Sequence, residues 1–185
     1  MVSERPFAVC VYCSASAGDA AHLRLAVQVG TEIARRGWQL VSGGGNVSMM
    51  GAVATAARSG GARTIGVIPK QLVHHEVADV EADELIVTDT MRERKQIMED
   101  RADAFLTLPG GIGTLEEFFE TWTGGYLGMH DKPVVVLDPL GHYRGLFAWI
   151  EQLLDSGFVS RSSLDRVRVT PDLQQAFDML ASLPN

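Results

Sequence analysis

The sequence predicts a doubly wound, Rossmann-like α/β sandwich: one three-layer domain with a mostly parallel sheet. Two observations carry this. Short apolar, β-branched runs alternate with helix-like stretches along the 185 residues. Each run is apolar almost without interruption, which marks strands buried on both faces, as in a parallel sheet covered by helices. The length supports one domain, because 185 residues build one sizeable core and fall short of two.

The elements follow in order. "FAVCVYCSA" (7–15) is the first strand, and helix-like 19–36 carries the chain back to "QLVSGG" (39–44). A helix over 50–59 precedes "TIGVIP" (64–69), which is followed by "ELIVT" (84–88). Helix 90–101 leads to "AFLTLP" (104–109), and helix 114–126 leads to "PVVVLD" (133–138). An amphipathic helix over 143–155 comes next; a short "RVRVT" (166–170) and a terminal helix from Pro171 are expected on an edge. Right-handed crossovers bring the carboxyl ends of the strands to one side, where open α/β sheets bind ligands. Those ends are "CSASAG", "SGGGN", "IPKQL", "TDTM" and "LPGGIGT". The two glycine-rich ones are expected to face one crevice.

Composition removes several function classes. Hydrophobic residues make up 46% and charged residues 21%, as in an ordinary globular protein. A net charge of -7 gives no basic stripe for nucleic acid. No segment reaches the roughly 18 consecutive apolar residues of a membrane span, and the first residues lack the pattern of a signal peptide. A cytoplasmic protein with no nucleic-acid or membrane partner is expected. Cys10 and Cys13 have C-x-x-C spacing, but on a strand such residues point to opposite faces. Both are expected to be reduced core or near-site thiols.

Familiar motifs fail on spacing. "SGGGNVSMMG" (42–51) sits between a strand and a helix, yet Ser48 stands where G-x-G-x-x-G needs its third glycine after Gly43 and Gly45. The next strand runs into Lys70 rather than the acid that binds a dinucleotide ribose. Neither glycine loop holds the Lys-Ser/Thr pair of a P-loop. "HHE" (74–76) lacks metal-site spacing, and the other histidines are scattered. No metal is expected.

Two stretches remain. In "MRERKQIMEDRADAF" (91–105), Met91, Arg94, Lys95 and Met98 fall on one side of a helix. That pattern fits cations held at the border of a buried surface, and equally a solvated face with snorkelling stems. "LPGGIGTLEEFFE" (108–120) ends a strand in three glycines before an acidic helix start. Thr114 and Glu117 match the S/T-x-x-E capping box, which would merely start a helix. A cap does not require three glycines at a sheet's carboxyl edge; an anion site does.

Together, "MRERKQIM" and "LPGGIGTLEE" resemble the paired signature M-x-x-R-K-x-x-M and P-G-G-x-G-T-x-x-E of the LONELY GUY (LOG) family, cytokinin-activating phosphoribohydrolases often labelled lysine decarboxylases. The resemblance runs from about Phe7 to Leu154 and takes in "SGGGNVSMMGAVA", "IGVIPKQL" and "LGMHDKPVVVLD" in order. It implies a Rossmann-like homodimer that hydrolyses the N-glycosidic bond of nucleoside 5′-monophosphates. The base implied is an N6-substituted adenine, with AMP also accepted. Position by position it implies Arg94 and Glu117 as the catalytic pair. Substrate contacts are implied for Glu76, Lys95, Gly111, Ile112, Gly113, Thr114, Leu115, Glu116 and Thr123, and for Gly44 and Gly45. After Thr123, "TGGYLG" departs from the plant-like pattern at positions that bear on the base. Decarboxylation would use pyridoxal phosphate on a lysine, but Lys95 already contacts substrate in this scheme and Lys70 and Lys132 carry no such signal; no cofactor is expected. The alternatives are a general purine nucleotide nucleosidase and a non-catalytic nucleotide sensor of the same fold.

Overall fold

A computed structural model of the chain describes residues 5–16, 18–75 and 77–182. Seven strands form one sheet: β1 (Ala8–Tyr12), β2 (Gln39–Ser42), β3 (Thr64–Pro69), β4 (Glu84–Thr88), β5 (Ala104–Thr107), β6 (Val134–Leu137) and β7 (Val167–Thr170). Their order is β4-β3-β2-β1-β5-β6-β7, and every neighbouring pair is parallel. The "mostly parallel" expectation is met throughout, and the short strand at 167–170 does lie on the edge.

Among the described residues seven α-helices accompany them: α1 (Ala20–Arg35), α2 (Ser48–Ser59), α3 (Met91–Arg101), α4 (Ile112–Tyr126), α5 (Arg144–Asp155), the short α6 (Arg161–Leu164) and, after the last strand, α7 (Leu173–Ala181). Strand alternation splits the core in two. Val9, Val11 and Cys13 face the layer that contains Leu25, Val29, Ile33, Val53 and Phe177. Ala8, Cys10 and Tyr12 face the layer that contains Met98, Phe118, Trp122 and Ile150. The two thiols are therefore on opposite faces, both free and buried, as a period of two demands. Phe105 and Phe118 are almost fully buried, each contributing roughly 1.5–3 kcal/mol of transfer free energy.

The topology places the site. The chain winds outward from β1 to β4, and α3 then carries it back across the sheet to β5, on the other side of β1. The strand order reverses between β1 and β5, and the crevice that ligands favour opens at the carboxyl ends of these two strands.

Candidate active site

A cavity of about 230 Å³ lies at that switch point. The β1–α1 loop contributes Cys13, Ser14, Ala15 and Ser16; the β2–α2 loop contributes Gly43 and α2 contributes Met50. The opposite wall is the start of α4, with Gly111, Ile112, Gly113, Thr114 and Glu117, and Arg94 reaches in from α3. Both glycine-rich strand ends border this one cavity.

Arg94 is only 4% exposed. Its Nε donates to the Val67 carbonyl at 3.0 Å and its Nη2 to the Gly43 carbonyl at 2.9 Å. Its Nη1 lies 3.7 Å from Oε1 of Glu117, itself 9% exposed. The guanidinium is thus fixed by backbone from β3 and the end of β2, and its third nitrogen faces the carboxylate. Gly43 is required here, since a Cβ would fall 2.0 Å from Nη2 of Arg94.

The α4 start differs from the capping-box alternative. The helix begins at Ile112, with Gly111 as its N-cap and no side-chain cap hydrogen bond. Thr114 is buried inside the first turn, folded against Gly110, where a Cβ would meet its Oγ1 at 2.1 Å. The first-turn N–H groups lack that side-chain cap and border the cavity, which is how a helix start receives an anion. Glu117 lies one turn further in.

Two buried groups of β1 that feel the Glu117 charge stay neutral. Burial first, and the Glu117 charge second, push the Cys10 thiol pKa far up. Burial likewise raises Tyr12, whose hydroxyl pairs with Thr121 Oγ1 at 2.9 Å. Uncharged neighbours leave Arg94 and Glu117 as the charges in the described lining.

The cavity brings together six of the residues named from the sequence: Arg94, Gly111, Ile112, Gly113, Thr114 and Glu117. Among the described residues, six others stand outside that lining. Lys95 reaches across to Glu116 and Glu120 on α4; burial lowers its pKa, but these hydrogen bonds outweigh it and raise the pKa overall. Leu115 packs into the α3–α4 core. Thr123 borders an apolar hollow with Phe119, Trp122 and Tyr126. Gly44, at φ +74°, is pressed on Val67 and Ile68 of β3, and the Gly45 N–H donates to the Met50 sulfur. Glu76 lies outside the described residues. The sequence reading passed over Ser14, Ser16 and Met50 as individual residues. Their only signal was position, at the carboxyl end of β1 and the start of α2. Ser48 ties these walls together by donating to the Ser16 carbonyl, from a left-handed φ of +49°.

The family model described as "Possible lysine decarboxylase" matches residues 50–180. A Mycobacterium tuberculosis protein named cytokinin riboside 5′-monophosphate phosphoribohydrolase is 61% identical over 91% of this chain and 90% of its own length. An Arabidopsis thaliana protein of that name is 38% identical over 90% of this chain and 79% of its own. Among solved structures, the molybdenum cofactor binding protein from Rippkaea orientalis superposes with a TM-score of 0.70 at 25% identity, covering 96% of each chain.

Proposed function

The chain belongs to the LONELY GUY family, and from that premise we propose that it hydrolyses the N-glycosidic bond of cytokinin riboside 5′-monophosphates, and of AMP, releasing free base and ribose 5-phosphate. One observation carries the reading: the uncapped start of α4 and the buried Arg94–Glu117 pair border the same cavity. An anion at the first turn and a carboxylate one turn deeper suit a substrate that is negative at its 5′-phosphate and becomes positive at its ribose.

In this reading the phosphate rests against the amides of Gly111, Gly113 and Thr114. As the C1′–N bond breaks, the base leaves with the bonding electrons and the ribose gains oxocarbenium character. Glu117 stabilises that charge and takes a proton from the water as its oxygen bonds to C1′; that proton ends on the departed base, which completes the free base and restores the carboxylate. Arg94 holds the carboxylate in place through its backbone-fixed guanidinium and assists departure of the base. Lys95 is assigned to substrate as well, which would require it to leave Glu116 and Glu120. Glu76, Gly44, Gly45, Leu115, Glu116 and Thr123 complete the set of substrate contacts assigned by the family resemblance. The 185 residues act as one phosphoribohydrolase domain.

The same reading makes the protein a homodimer. An apolar hollow of about 670 Å³ lies between α4, α5 and the loop before α6. Tyr126, Trp149 and Phe158 around it are 52%, 54% and 83% exposed. A patch of this kind favours a subunit contact, and Phe158→Ser is expected to shift the mass found by light scattering from dimer to monomer. Two free thiols fit a reducing cytoplasm.

The deciding experiment follows base release by chromatography from AMP, GMP and N6-isopentenyl-AMP. Release of adenine or isopentenyladenine with ribose 5-phosphate is expected, and the rate ratio gives the base preference. Binding of AMP without cleavage of any of the three would overturn the enzyme reading in favour of a nucleotide-binding module.

A further inference from the structure

Among the described residues lining the cavity, none comes from β6 or from the loop that follows it. That loop grips the glycine loop from outside. The Asp138 carboxylate accepts the backbone N–H groups of His142 and Tyr143, each at 2.8 Å, and Gly141 makes the turn between them at φ +70°. So held, the buried Tyr143 hydroxyl donates to the Leu108 carbonyl at 2.8 Å. The His142 ring reaches the Gly110 carbonyl with Nε2 at 2.9 Å. A carbonyl only accepts, so Nε2 carries the proton. His22 of α1 meets the His142 ring edge-on at 6.1 Å, and Asp19 holds His22 at 2.8 Å.

The consequence lies in one peptide plane. The Gly110 carbonyl and the Gly111 N–H belong to the same planar trans unit, so they point in opposite directions. Fixing the carbonyl on His142 turns the Gly111 N–H away from it, and Gly111 is the N-cap of α4 in the cavity lining. Glycine on both sides makes that plane easy to flip, because neither residue has a Cβ to forbid the alternative. A flip would present a carbonyl oxygen to an anion.

We infer that His142 is a positioning residue for the anion loop, locking the Gly110–Gly111 peptide with its amide turned from the β6–α5 loop toward the cavity, on a footing made by Asp138 and Tyr143. This rests on the reading that the substrate's 5′-phosphate lies against the start of α4. His142 acts through the backbone and touches no reacting atom.

The test compares wild type, His142→Ala and His142→Gln on N6-isopentenyl-AMP, with ribose 5-phosphate as product inhibitor. Losing one solvent-exposed hydrogen bond is expected to raise KM about 3- to 10-fold. Inhibition by ribose 5-phosphate weakens by the same factor, while kcat stays within about twofold. His142→Gln, whose amide N–H reaches the same carbonyl, restores most of both. Wild-type KM and inhibition in His142→Ala overturn the inference, as does a lowered thermal midpoint with unchanged KM. A glutamine variant no better than alanine overturns it as well. A separate arm compares wild type on the riboside and its monophosphate. Equal KM for the two removes the phosphate from this loop, and the underlying reading falls together with the inference.

Discussion

The two helical layers of this molecule are built for different work. On one face, α1, α2 and α7 pack through small residues and rings. Gly30 lies so close to α2 that a Cβ would come 2.3 Å from the Val53 carbonyl, and Trp38 stacks on Phe177 with Arg36 above both rings. The buried Glu32 carboxylate of α1 is held by Arg35 and Arg36 at 2.6–2.7 Å. On the other face, α3 and α4 point Arg94 and Glu117 into the cavity, and α4 and α5 leave large aromatics at the surface. The first layer holds Glu32 in close ion pairs and contributes to stability. The second holds a guanidinium against a carboxylate at 3.7 Å, longer than the charged contacts that hold Glu32, in the cavity proposed above to take the substrate.

That contrast can be broken at four positions. Glu117→Gln has the largest expected effect, a fall in kcat on the order of 10²–10³-fold. Its thermal midpoint should stay near wild type, since the amide keeps the volume and lies in an accessible cavity. Near wild-type turnover would remove the carboxylate from the chemistry. Arg94→Ala should cut kcat about 10²-fold and also cost about 3–5 kcal/mol, because two buried carbonyls and Glu117 lose their partner. Denaturant melts and steady-state rates, read together, separate this double loss from the single loss in Glu117→Gln.

In the other layer the order inverts. Gly30→Ala gains about 1 kcal/mol of helix propensity, but forcing α1 from α2 costs up to about 3 kcal/mol. A net loss of about 1–2 kcal/mol with unchanged kcat is expected in the same melts. The smallest effect concerns acid stability. Hydrogen bonds from Arg35, opposed by burial and reinforced by Arg36, hold the Glu32 pKa down to about 2, from an ordinary 4.5. A depressed carboxylate pKa stabilises the fold above about 4.5 and loses that contribution as pH falls toward 2. Glu32→Gln is therefore expected to be less stable at pH 7 and to show a shallower decline between those pH values. An acid limb as steep as that of wild type would assign the decline to other carboxylates.

Much of this was legible in advance because it is local. Uninterrupted apolar runs marked the strands, and α1 to α5 all begin within two residues of the expected positions. At α4 it is the cap that misleads: Thr114 and Glu117 spell a capping box, yet the helix starts at Ile112 with Gly111 as its N-cap. The small residues before it allow the backbone to turn early, and Thr114 is packed on Gly110 instead. The short α6 was missed, since "RSSL" carries no apolar period.

By itself the sequence determined the parallel α/β class and the convergence of two glycine-rich strand ends; Arg94 and Glu117 are joined as a pair only by the resemblance to the LONELY GUY family. Propensity and periodicity depend on near neighbours, so one chain suffices to read them. Only the tertiary structure decided what fixes that pair. Arg94 is bound to carbonyls 27 and 51 positions away, and the Gly110 carbonyl is held by a histidine 32 positions on. Lys95, its neighbour in the same signature, is turned instead to α4. Such contacts depend on which strands the crossovers bring together and on which way a flexible glycine peptide is held, and no local pattern encodes either.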